Sequence, residues 1–304
     1  MKLKKLLISA TFLLFINYGF AQTYNHIVGW SKKMNNEIYQ FLETTKLTST
    51  PKIAVFDFDG TIFGQTPYYI ADEVICTYAI DNYIGKENKS AEKSLKHLNN
   101  TLHNKKDPNH TIDRVYSFAG AKLDEIQNLS WNVYQAKYQD KAYPEMQQLI
   151  ANLYEYGFEI WVITGSPSVI YGKIASKIFG IPDSHIIGAN SVIYNGVISD
   201  EIIPPVTMNN GKLIALETFI REKPLLIGGN SRGDIEMVQY SQGLKLMINP
   251  DNTKKYSDSL LKNQSIQEFC EENNILIGHC KDIGGKLSDF NATKFKANVN
   301  TNTP

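Results

Sequence analysis

Two carboxylates, Asp57 and Asp59, stand two positions apart at the end of the apolar run Ile53-Ala54-Val55-Phe56 and are followed by Gly60-Thr61. Side chains alternate along a strand, so such a pair shares one face while the chain stays extended. Burying two acids among apolar residues is costly without a cation or a shared proton. One carboxylate of a pair held in different environments can attack as a nucleophile while the other manages a proton. The partners this chemistry needs occur at three later points. Thr164-Gly165-Ser166 offers hydroxyls and backbone N–H groups, Gly211-Lys212 offers a cation, and Gly229-Asn230-Ser231-Arg232-Gly233-Asp234 offers oxygen ligands for a hard metal. That inventory suits phosphoryl transfer, in which catalysis is mainly positioning and charge neutralisation.

The elements that must hold these residues follow from the pattern. Short apolar runs closed by glycine and polar residues read as buried strands of a parallel sheet, at 52–57, 158–163, 225–229 and 244–248. A shorter strand is expected at 185–187, and Asn195-Gly196 between apolar runs signals a hairpin. Helices are expected over 22–46, 144–156, 169–179, 210–221 and 234–239. Pro144 opens one of them and Gly180 stops another. Between the first and second clusters the chain reads as helical, at 68–83, 90–104, 113–118 and 124–139, with no convincing strand. The fold class is therefore α/β, a doubly wound parallel sheet with an inserted helical cap. The core takes 22–62 and 142–285, the cap 63–141, and the Asn-, Lys- and Thr-rich stretch 286–304 reads as a disordered tail. In such sheets the crevice at the carboxyl ends of the strands is where all these clusters would meet.

Apolar residues make up 42% of the 304 and charged residues 20%, ample for a sizeable core. The formal charge is zero, so no basic field points to nucleic acid. Lys2, Lys4 and Lys5 precede an apolar run over 6–15, and Gly19-Phe20-Ala21 supplies small residues for a cut before Gln22. The run is too short for a membrane span and reads as a secretory signal peptide, 1–21. Its removal leaves 28 basic against 31 acidic residues. The expectation is an exported protein, periplasmic or secreted, with no stable membrane anchor. Nothing in the sequence sets an oligomeric state. Export permits thiol oxidation, and Cys270 and Cys280 could close a small loop or remain free; Cys76 reads as a buried apolar residue.

Asp57-x-Asp59-Gly60-Thr61, apolar-Thr164-Gly165-Ser166, Gly211-Lys212 and Gly229-Asn230-Ser231-x-x-Asp234, in that order, resemble the four motifs of the haloacid dehalogenase-like superfamily. The resemblance spans 52–250. It is greatest to the phosphoserine-phosphatase-like branch, including secreted phosphocholine-phosphatase-like members, whose helical cap lies between the first two motifs. The resemblance implies that Asp57 is the nucleophile that becomes an aspartyl-phosphate. It implies that Asp59 protonates the leaving oxygen and then activates water. An Asp in that second place argues for phosphatase over dehalogenase chemistry, which needs no leaving-group acid. Thr164 and the Gly165 N–H would hold phosphate oxygens, and Lys212 would bridge phosphate and Asp57. Asp57, the Asp59 carbonyl, Asn230 and Asp234 would surround Mg²⁺. One residue departs from the pattern: the last motif commonly begins with Asp, and here Asn230 removes one negative charge and predicts a weaker metal site. The implied partner is a small phosphorylated metabolite.

Other readings of the same residues are weaker. The six histidines have no zinc spacing, and no Gly-x-x-x-x-Gly-Lys loop exists for a nucleoside triphosphate. Arg232-Gly233-Asp234 could be an adhesion tripeptide, but the metal-site reading already takes Asp234. The cap aromatics Tyr68, Tyr69, Tyr78, Tyr83, Tyr116, Phe118, Trp131, Tyr134 and Tyr138 could cage a quaternary ammonium, as in phosphocholine, or simply form the cap core. From a different class, a non-catalytic phosphate- or ligand-binding protein on the same scaffold is the rival; a pure binder has no need for a nucleophile–acid pair.

Overall fold

The computed structural model describes residues 23–86, 89–103 and 109–295, so the 1–21 signal segment lies outside the described residues. Helix α1 (Lys32–Thr45) begins where the Ser31 side chain accepts the Met34 N–H. It leads into strand β1 (Ile53–Phe56), whose four residues are all buried. The chain then leaves the sheet for α2 (Ile70–Asn82), α3 (Lys89–His103), α4 (His110–Tyr116) and α5 (Leu123–Val133), with a π-helical turn over Tyr134–Tyr138. It returns through α6 (Pro144–Glu155), β2 (Glu159–Pro167), α7 (Ser168–Phe179), β3 (Ile186–Tyr194) and β4 (Val197–Ile203). It finishes with α8 (Asn210–Ala215), β5 (Leu226–Gly229), α9 (Ile235–Gln239), β6 (Leu244–Ile248), α10 (Ile266–Glu272) and β7 (Leu276–Gly278).

The strands form one sheet in the order β4-β3-β2-β1-β5-β6-β7. Every pairing is parallel except β3 with β4, the Asn195-Gly196 hairpin. Successive connections run one way from β1 to β3 and then cross to β5 on the other side, which makes the carboxyl end of β1 a topological switch point. Alternate residues of β1 feed two cores: Ala54 and Phe56 join one face, Ile53 and Val55 the other. The doubly wound sheet and the cap inserted between β1 and β2 agree with the sequence. The strand expected at 185–187 and the first hairpin strand are one continuous β3.

One expectation needs correction, and two open alternatives are resolved. Residues 286–295 are not a disordered tail. Phe290, Ala292 and Phe295 are buried, and the N–H groups of Asn291 and Ala292 donate to the buried carboxylate of Glu73 on α2 at 2.9 and 3.1 Å. The polar composition of this stretch hides two aromatic anchors; the remainder, 296–304, lies outside the described residues. Cys270 and Cys280 are free. Cys270 on α10 belongs to one core layer and Cys280, just past β7, to the other, so the sheet separates the thiols. The cap aromatics pack inward: Tyr78, Tyr83, Phe118, Tyr134 and Tyr138 are buried in the hydrophobic core. Among the described residues, no helix is long and apolar enough to cross a membrane.

The segment after β7 also ties the cap to the core. Asp282 accepts the N–H groups of Gln65 and Thr66, both at 2.9 Å, where the chain enters the cap. Lys141, where the chain leaves, lies 3.7 Å from the same carboxylate and donates to the Thr66 carbonyl. Both cap linkers are therefore held by one side chain.

Candidate active site

Asp57 follows β1 directly, and its N–H continues the ladder to the Gly228 carbonyl at 3.0 Å. The chain does not stay extended beyond it. The Phe58 carbonyl accepts the N–H groups of Thr61, Ile62 and Phe63 at 3.2, 3.0 and 3.1 Å, closing a turn that buries Phe58. This turn, not the pleat of a strand, brings Asp59 to the same cavity as Asp57. Gly60 adopts φ +84° within it, and a Cβ there would sit 2.0 Å from Asn230 Nδ2. Only glycine lets the first loop lie against the last.

Thr164, Gly165 and Ser166 lie in β2 where its ladder with β3 breaks, between Ile163 and Pro167. The Thr164 hydroxyl accepts the Ser166 N–H at 3.2 Å, and Thr207 pins the Thr164 carbonyl at 2.7 Å. Lys212 stands in the first turn of α8. The preceding Gly211 lies so close to the Val206 carbonyl oxygen that a Cβ would be 1.9 Å from it. The Lys212 ammonium is buried and donates to Asp57 Oδ1 at 2.5 Å and to Asp234 Oδ1 at 2.6 Å. Thr61 donates to the other Asp57 oxygen at 2.9 Å. Asp234 Oδ2 accepts from the Asn230 N–H, the Ser231 N–H and the Ser231 hydroxyl at 3.1, 2.9 and 2.8 Å.

Six of the seven residues singled out from the sequence, Asp57, Asp59, Thr164, Gly165, Lys212 and Asn230, line one cavity of about 310 Å³. Asp234 stands behind Lys212, fully buried, and anchors both that ammonium and the 230–231 loop. Its burial also removes the adhesion reading of Arg232-Gly233-Asp234, and Arg232 is itself paired with Asp258 and Glu236.

Burial sets the protonation pattern. It lifts the Asp57 carboxyl above its ordinary value, with the Lys212 ammonium pulling it down and Asp234 pushing it up. Burial lifts Asp59 to about 7, with the Tyr171 hydrogen bond opposing and the Asp57 charge adding to the rise. Asp59 can therefore hold a proton near neutrality. Burial opposes ionisation of Asp234 too, but Lys212 and the Ser231 and Asn230 N–H groups outweigh it and hold the carboxyl below its usual range.

The cap lines the cavity too, through Tyr69, Asp72, His110 and Arg114. Arg114 of α4 and Asp72 of α2 are both buried and hydrogen-bonded to each other at 2.6 Å, and Arg114 also donates to the Ser166 hydroxyl at 2.9 Å. The Arg114 Nε is buried without a hydrogen-bond partner. Tyr69 is the one cap aromatic that lines the cavity, and Arg114 lies over its ring at 5.5 Å from the centroid. Among the described residues, the other eight cap aromatics named from the sequence do not line this cavity. Sequence reasoning assigned no role to Arg114, Asp72 or Tyr171. A faint signal existed for Arg114: the chain has only three arginines against 28 lysines, and this is the cap's sole arginine. Arginine is favoured where a rigid fork of donors is needed.

Among the described residues no group of three or more His, Cys, Asp or Glu could hold a metal ion. The donors that the cavity does present are oxygens: the Asp57 carboxylate, the Asn230 amide and the backbone beside Asp59, with Asp234 behind. Oxygen donors of this kind fit a hard cation such as Mg²⁺, at lower charge than a site built from three carboxylates.

No curated protein matches the chain in sequence. Among solved structures, a functionally unknown protein from Anaerococcus prevotii DSM 20548 is similar at a TM-score of 0.58 and 13% identity, covering 84% of this chain and 97% of its own. A protein of unknown function from Bordetella pertussis Tohama I follows at 0.57 and 13%, covering 75% and 98%. A phosphoserine phosphatase in a phospho-aspartyl intermediate analogue form is similar at 0.44 and 18%, over 74% and 99%. At these identities the likeness concerns the fold alone. The family model for haloacid dehalogenase-like hydrolases matches residues 54–239, which take in all four clusters and the cap between the first two. With that match, and with six of its seven candidate residues gathered at one switch-point cavity, the chain belongs to the haloacid dehalogenase-like hydrolases.

Proposed function

We propose that this hydrolase is an exported, Mg²⁺-dependent phosphomonoesterase that works through an aspartyl-phosphate on Asp57. The observation that carries the reading is the pairing in one cavity of two buried carboxyls with different partners. Asp57 is held by Lys212 and Thr61, and Asp59 is lifted by burial to about 7 so that it can carry a proton. The Asp57 carboxylate attacks phosphorus, the ester P–O bond breaks, and the Asp59 proton goes to the departing oxygen. The Asp59 carboxylate then takes a proton from water as the water oxygen attacks phosphorus, releasing phosphate and restoring Asp57. Thr164, the Gly165 N–H and Lys212 would hold the phosphoryl oxygens. Mg²⁺, held by Asp57, the Asp59 carbonyl and Asn230 with Asp234 behind, would supply neutralising charge.

The cap wall narrows the substrate. The Arg114 guanidinium, which lines the cavity from the cap and carries an unpaired Nε, favours an alcohol bearing a negative group and disfavours phosphocholine. Export rests on the 1–21 segment, and the substrate would then be a small phosphate ester outside the cytoplasm. Hydrolysis of a chromogenic phosphate ester with Mg²⁺, and then with EDTA, tests the core reading: turnover that EDTA stops and Mg²⁺ restores is expected. Ligand binding without turnover under both conditions would instead establish the non-catalytic rival.

A further inference from the structure

The two oxygens of Asp59 have unlike surroundings. Oδ2 accepts the hydroxyl hydrogen bond of Tyr171, whereas Oδ1 is buried with no hydrogen-bond partner. Tyr171 enters from α7, is wholly buried, and packs its ring against Phe58 at 4.4 Å between centroids. The Tyr171 hydroxyl donates to Oδ2 and so fills that oxygen. A carboxylic acid carries its own proton on the oxygen that is not already filled by a donor. An isolated carboxyl rotates broadly about its last bond and offers either oxygen.

We infer that Tyr171 is a positioning residue which, by donating to Oδ2, fixes the Asp59 carboxyl and leaves Oδ1 as the atom that passes the proton to the leaving group. This rests on the phosphomonoesterase reading and goes beyond it by naming the reactive oxygen and the residue that selects it. In the first step the Asp57 O–P bond forms, the ester P–O bond breaks, and the hydrogen on Oδ1 moves to the departing oxygen. In the second, Oδ1 takes a hydrogen from water as the water oxygen bonds to phosphorus and the Asp57 O–P bond breaks. The Tyr171 proton stays on Tyr171 throughout.

A leaving group that departs readily needs little help from an acid, and a poor one needs much. The test is kcat/KM on p-nitrophenyl phosphate, a good leaving group, and on phenyl phosphate, a poorer one of similar shape, in wild type, Tyr171→Phe and Asp59→Asn. Tyr171→Phe keeps the ring and its packing on Phe58. It should lower kcat/KM by about 3-fold on the nitrophenyl ester but by about 30-fold on the phenyl ester, with Asp59→Asn showing the same bias more strongly. A merely structural role for Tyr171 would lower both esters equally. Equal losses, or none, in Tyr171→Phe while Asp59→Asn keeps the bias would overturn this inference alone. Wild-type protein inert on both esters would overturn the phosphomonoesterase reading and this inference with it.

Discussion

On the core side of the cavity, Asp57, Thr164 and Asn230 follow or end parallel strands, and Lys212 opens a helix. On the cap side, Asp72 and Arg114 come from within α2 and α4 and meet only because those helices pack together. The core residues occupy places that the ladder and the turns dictate, so their types and spacing can hardly vary while the chemistry is kept. The cap residues stand on a helical insertion whose register with the core is set by packing, including the docked segment 286–295 and the Asp282 clamp on both linkers. Arg114 joins the two walls through its hydrogen bond to Ser166.

Variants on the two walls should separate accordingly. Asp57→Asn on the core should cut turnover by on the order of 10⁴-fold on every ester, with thermal unfolding little changed; steady-state assays and a melting curve check this. An Asp57→Asn protein with substantial activity would place the nucleophile elsewhere.

Asp59 gives a stability effect with a definite sign. Its folded value of about 7 lies above the usual 3.8. Below both values each state holds the proton and Asp59 costs nothing. As pH rises from about 4 to about 7, the unfolded chain releases the proton first, so stability falls through that window. In EDTA, Asp59→Asn should remove this dependence and gain on the order of 3 kcal/mol over wild type at neutral pH. Denaturant midpoints across that range are the measurement, and parallel curves for the two proteins would contradict it.

On the cap, Arg114→Lys keeps the charge that Asp72 requires but loses the fork. It should cost roughly 10-fold to 30-fold in kcat/KM for an ester whose alcohol carries a carboxylate, and little for p-nitrophenyl phosphate. Equal losses on both would move Arg114 from selectivity to general support. The smallest change is expected for Asn230→Asp, which restores a carboxylate at the cavity rim and should lower the Mg²⁺ needed for half activity by several-fold to about 10-fold. An unchanged requirement would take Asn230 out of the metal set.

The legibility of the sequence divides along the same line. Asp57, Asp59, Thr164 and Lys212 could be read because strand ends closed by glycine turns are visible as composition breaks, and the sheet then brings them together. The path of the loop was less legible: Asp59 reaches the cavity by a turn on the Phe58 carbonyl, not by strand alternation. Tyr171 carries no local signature and Arg114 only its rarity, since each meets a partner far away in sequence, Asp59 or Asp72. Helix α10 shows only its capping box, Ser265 with Glu268, because seven residues are too few for a helical period to stand out. The 286–295 segment reads as disordered because a polar average masks the two phenylalanines that decide its packing.

The central claim is that Asp57 becomes phosphorylated. It is tested most directly by mixing Asp59→Asn protein with p-nitrophenyl phosphate and Mg²⁺, quenching in acid, and locating the phosphoryl group by peptide mass spectrometry. The nitrophenyl group leaves without acid help, while loss of the Asp59 base slows attack by water. The account predicts one phosphoryl group on the peptide that contains Asp57, formed as nitrophenol is released. Nitrophenol released with no phosphorylated peptide, or with the phosphoryl group on a peptide lacking Asp57, would contradict it.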